Sequence, residues 1–160
     1  MNNTYDHQSW PNNAPWQGHW HGFGPWVGDG KSYANEAVRR PADLSGAHVE
    51  FIQSRVPPLM TGLWLMRPAQ AVRERTWTHV GDAIAWLTDT YKQHPPLESP
   101  DGATAYVGHE VKTAYARDAL PRGVDVVWAY WLRGQTIASY AVVCCPNFFH
   151  KSLPCPCPPN

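Results

Sequence analysis

Three features of the sequence predict an α+β fold: a small antiparallel β-meander of three or more strands with one or two helices packed on one face. Residues 124–145 hold two β-prone runs, Val-Asp-Val-Val-Trp-Ala-Tyr-Trp-Leu-Arg and Thr-Ile-Ala-Ser-Tyr-Ala-Val-Val-Cys-Cys, separated by Gly134-Gln135. Glycine accepts the positive φ of a tight reversal, so this spacing reads as a hairpin. Val80, Ile84, Leu87 and Tyr91 recur at helical spacing, with Ala83 and Trp86 beside them. Proline pairs and glycines punctuate the chain between such runs. With 160 residues, one domain with one modest core is expected.

The segment 1–32 is set apart by composition. It carries Gly, Pro and Asn with no Val, Ile or Leu before Val27, so it offers no continuous aliphatic face. Yet it holds Trp10, Trp16, Trp20 and Trp26 with Tyr5 and Phe23. An extended or disordered Trp/Gly/Pro/His-rich arm is the expectation. Its rings would lie on their own domain or, because tryptophan dominates contact surfaces, on a partner. His19-Trp20-His21 sits within it, and two histidines in alternation on an extended chain can share a metal, although two ligands alone are a weak signal.

The folded domain is expected over 33–147. Residues 34–38 suggest a helical turn. In residues 47–56, Val49, Ile52 and Val56 suggest a helix ended by Pro57-Pro58, with strand an alternative. Gly62-Leu63-Trp64-Leu65-Met66 reads as a buried strand. The clearest helix spans 78–93, with Thr78 as N-cap, Asp82 in the first turns, Lys92 in the last and Pro95-Pro96 beyond. Residues 95–103 read as a loop. Residues 105–116 are ambiguous, and the hairpin's need for a third strand favours strand there. Setting Gly134-Gln135 as a two-residue turn places Trp128 opposite Ala141, Tyr130 opposite Ser139, Trp131 opposite Ala138 and Tyr140 opposite Ala129, so that each large ring meets a small partner. One face, with Val124, Val126, Trp128, Tyr130 and Leu132, is core. The other, with Trp131 and Tyr140, is too apolar to be fully wet.

The tail, 148–160, is rich in Cys and Pro. All four cysteines, Cys144, Cys145, Cys155 and Cys157, fall close to it, with His150 between them. Such donors suit a soft metal, Zn²⁺ or Cu(I). The spacing is not that of a two-cysteine knuckle, and adjacent strand residues such as Cys144 and Cys145 point to opposite faces. Free thiols, a disulfide between tail and last strand, and a metal site with Zn²⁺ as the candidate ion therefore all stay open.

Thirteen Lys+Arg balance thirteen Asp+Glu, which disfavours nucleic acid, although tryptophans of the arm can stack on single strands. No run approaches the ~18 apolar residues of a membrane span, and no basic-then-apolar leader opens the chain, so a cytoplasmic location is expected. Phosphate loops, dinucleotide fingerprints, zincin helices and nucleophile elbows are absent from the sequence. An enzyme is disfavoured; a pocket between sheet and helix with His79, His109 or Glu110 is the weaker alternative. The leading expectation is an interaction or assembly protein, most simply a homo-oligomer, touching its partner through Trp10, Trp16, Trp20, Trp26, Trp131 and Tyr140. The alternative is a metal-binding or thiol-dependent protein centred on Cys144, Cys145, His150, Cys155 and Cys157.

Overall fold

The computed structural model describes residues 15–100 and 107–160. Four strands, β1 (His19–Asp29), β2 (Thr76–Trp77), β3 (Val126–Trp131) and β4 (Thr136–Cys145), form one antiparallel sheet in the order β2-β1-β4-β3. Three short helices, α1 (Gly30–Tyr33), α2 (Glu36–Arg39) and α3 (Val49–Gln53), precede the longer α4 (Val80–Gln93) and α5 (His109–Ala119). The α+β class is as the sequence predicts. Among the described residues no helix is long and apolar enough to cross a membrane.

The helical stripe of α4 is real: Ala83, Ile84 and Leu87 are buried, and Val80, Trp86 and Tyr91 pack around them. The predicted N-cap is corrected, because His79 takes that position and no side chain caps the helix. Residues 109–119 are helix rather than the predicted strand. The buried face of α5 is made of small residues, Thr113, Ala116 and Ala119, at a spacing of three, which lets it lie close to the core. The large residues that suggested a strand, Val107, Val111 and Tyr115, point to solvent. The sheet takes its third strand instead from residues 19–29, within the segment expected to be an arm. Residues 1–14, including Trp10, lie outside the described residues.

The hairpin of β3 and β4 exists with a different register. Trp128 pairs with Tyr140, Tyr130 with Ala138 and Ala129 with Ser139. The reversal uses three residues, Arg133, Gly134 and Gln135, closed by a 2.7 Å bond from Leu132 N–H to Thr136 O, with φ of 81° at Gly134 and 62° at Gln135. This one-residue slip exchanges the faces of β4 relative to β3. Val126, Trp128 and Tyr130 still face the core, but beside Tyr140 and Val142 rather than Ala141 and Val143. Large rings meet after all, because they meet edge-on: Trp128 and Tyr140 lie 6.0 Å apart at 64°, and the Tyr130 and Tyr140 hydroxyls are 2.8 Å apart. Burial pushes the Tyr130 hydroxyl up to about 12.

From Ile137 onward β4 is buried on both faces. The helices cover one. On the other, Phe23, Ala141 and Val143 meet Trp64 and Leu65, and Phe23 stacks on Trp64 at 5.0 Å. The predicted strand at 62–66 is a 3₁₀ segment, Thr61–Met66, all of whose residues after Thr61 are buried. Arg67 gathers the irregular chain around it. Its guanidinium is fully buried and donates to Phe51 O (2.9 Å), Val56 O (2.6 Å) and Val38 O (2.9 Å), lying 4.3 Å over the Phe51 ring. Burial pulls it down to about 10.

Candidate metal centre

Side chains alternate along a strand, so β1 places His19 and His21 on one face and Trp20 on the other. β1 runs antiparallel to β4 with His19 opposite Cys145 and His21 opposite Val143. Cys145, the last residue of β4, therefore shares the histidine face. The strands approach closely here: a Cβ on Gly18 would stand 2.4 Å from Cys145 O and 2.5 Å from the Trp16 ring, so only glycine fits. Past β4 the chain turns back. Asp125 Oδ1 accepts from Cys144 N–H (2.8 Å), Asn147 Nδ2 donates to Asp125 Oδ2 (2.9 Å), and Trp16 Nε1 donates to Pro146 O (3.1 Å). Leu153 packs against both the Trp64 and the Phe51 clusters, and two residues later Cys155 reaches the histidines.

Four donors result: His19, His21, Cys145 and Cys155, with one ligand atom of each within 4.8 Å of all the others. His19 Nε2 lies 3.0 Å from His21 Nε2 and 3.3 Å from Cys155 Sγ, and His21 Nε2 lies 3.6 Å from that sulfur. Tetrahedral bonds of about 2.0 Å to nitrogen and 2.3 Å to sulfur place ligand atoms about 3.3–3.8 Å apart. Three of the donors are thus already near coordination spacing.

A supporting shell orients the ring of His21. Thr76 Oγ1 gives its proton to Val72 O (2.9 Å) and so accepts from His21 Nδ1–H at 3.0 Å. That fixes the tautomer and turns the Nε2 lone pair toward His19 and Cys155, as ligand histidines require. The site is averse to isolated charge. Burial, then the neighbouring His19, holds His21 down at about 4, and burial also lowers His19. Burial, then the Cys155 thiol, pushes Cys145 up to about 12. Two thiolates around a dication form a neutral unit, the one ionised state such surroundings favour.

Of the five residues expected to hold a metal, Cys145 and Cys155 converge and three do not. Cys144 faces the helices, its sulfur 3.9 Å from Leu120 O, and burial raises its thiol strongly. Cys157, half-buried, stands outside the group. His150 lies instead beside Gly62 and Asp125 in a cleft with Met60 and Phe149. The sequence showed His19-x-His21 and the cysteines separately; the pairing of β1 with β4, which joins them, was hidden by the reading of 1–32 as an arm.

The residues expected to meet a partner are mostly spent inside the chain. Trp16, Trp20 and Tyr140 belong to the core beneath α4 and α5, and Trp20 Nε1 donates to Leu120 O at 3.1 Å. Trp26 stacks on Tyr33 at 5.7 Å. Trp131 alone of the described five is exposed, at 40%. The residues of the enzyme alternative are scattered: His79 and Glu110 are exposed, and His109 stacks on Tyr91 at 4.6 Å. No family model, curated protein or solved structure matches the chain.

Proposed function

We propose that this is a metal-binding protein that holds one transition-metal ion, Zn²⁺, between His19, His21, Cys145 and Cys155, and that the ion fastens the C-terminal segment to the centre of the sheet. The observation that carries the reading is the convergence of two imidazoles and two thiols from three separate stretches of chain within 4.8 Å. Two nitrogens and two sulfurs match a tetrahedral d¹⁰ ion in softness and number. Four protein ligands leave no position for water or substrate, which is the pattern of a structural rather than a catalytic site. Binding displaces the thiol protons, so affinity falls as pH falls.

Metal analysis of the purified chain should find about one equivalent of zinc. Cobalt exchange should produce thiolate-to-cobalt absorption, and Cys155→Ser should remove both signals and lower the Tm of the as-purified protein toward that of chelator-treated protein. Less than a tenth of an equivalent after zinc supplementation, or a Cys155→Ser protein with undiminished metal, refutes the reading.

A further inference from the structure

A second site lies away from the metal centre, at the outer edge of β1. β2 pairs with β1 only at Trp20 and His21, so beyond that point the edge has no strand partner among the described residues. A cavity of about 420 Å³ opens there, walled by Gly24–Val27, by Trp64 and Val72, and by Arg55, Gln70 and Arg75. This is the size of a small-molecule site.

The charge is one-sided. Two guanidiniums from different segments line the cavity and no carboxylate does. Arg55 is exposed and makes no ion pair or hydrogen bond with the described residues. Arg75 donates Nη1 to Gly24 O, which steadies it at the rim, and lies 5.9 Å from the Trp86 ring; burial lowers its pKa and the neighbouring Glu74 raises it. Arg67, fully buried 5.1 Å from the Trp64 ring and bonded to three carbonyls, does not line the cavity. The exposed Arg55 and the half-buried Arg75, whose charged neighbour Glu74 does not line the cavity, bring two guanidiniums to one cavity, and their planar forks suit an oxyanion. Trp26, Trp64 and Val72 give the same cavity an apolar wall.

We propose that this cavity binds a small organic oxyanion with a flat apolar body, its carboxylate or phosphate between Arg55 and Arg75 and its body against Trp26 and Trp64. Benzoate and phenyl phosphate are the probes, with benzyl alcohol as the uncharged control. Titrated into the full-length protein, at least one anion should shift the indole N–H resonances of Trp26 and Trp64 saturably, with Kd below about 1 mM. The tighter of the two identifies the oxyanion class. Arg55→Glu, at an exposed and unpartnered position, should leave the circular dichroism unchanged and weaken binding by about tenfold or more. No saturation by either anion at about 10 mM, equal binding of benzyl alcohol, or unchanged affinity in a folded Arg55→Glu protein overturns the proposal.

Discussion

Thr76 is a small residue with two commitments. Its hydroxyl proton goes to Val72 O and its lone pair to His21 Nδ1–H, so a single oxygen links the 72–76 turn to the His21 ring. Thr76→Val keeps the shape and removes both bonds. Zinc affinity, measured by competition with a chromophoric chelator, should fall by about 10–100-fold, while Thr76→Ser should hold close to the parent. Equal affinities for Val and Ser would mean that the hydroxyl orients nothing. Arg67 makes a contrasting use of polarity: Val38 O of α2, Phe51 O of α3 and Val56 O beyond it share one buried cation, in a region where strand ladders are lacking.

Among the elements, the β3–β4 reversal concentrates unusual backbone in two residues, Gly134 and Gln135. A Cβ on Gly134 would touch nothing within 4 Å, so Gly134→Ala tests conformation alone. It should lower stability by about 1 kcal/mol, and Gln135→Gly should raise it by about 0.5 kcal/mol, both read from urea denaturation. If both substitutions act in the same direction, the three-residue loop is wrong. The same hairpin shows what the sequence could carry. Its existence and the inward face of β3 were legible from composition and alternation. The register was not, because size-matching of rings to small partners lost to edge-on aromatic packing and a hydroxyl pair. α4 was legible because its stripe is made of large apolar residues. α5 was not, because it buries Thr113, Ala116 and Ala119 and exposes Val111 and Tyr115, reversing the usual sign of the pattern. In β1, Gly22, Gly24, Pro25 and Gly28 interrupt the aliphatic alternation that marks a strand, although Trp20, His21 and Phe23 are buried. The histidine pair was visible, but without that strand nothing joined it to Cys145 and Cys155.

For the molecule as a whole, residues 16–29 are interior structure rather than an appendage. β1 lies between β2 and β4, and Trp16 and Trp20 fill the core beneath α4 and α5. Deleting residues 1–30 should therefore abolish the cooperative thermal transition and the near-ultraviolet circular dichroism of the tryptophans. A truncated protein that melts as sharply as the parent would contradict the central placement of β1. An assembly role through those tryptophans would require them to leave their own core, at a cost of about 3–5 kcal/mol for each ring.

The four candidate metal donors stand at positions 19, 21, 145 and 155. On the ribosome, the two imidazoles emerge well ahead of the sulfurs, by about 10 s at a synthesis rate of about 10 residues per second. During that interval the nascent chain has neither β4 nor the thiols, and the histidine pair can hold an ion only weakly. If the ion binds as proposed, tight capture waits for Cys155, so metallation follows the synthesis of all four strands.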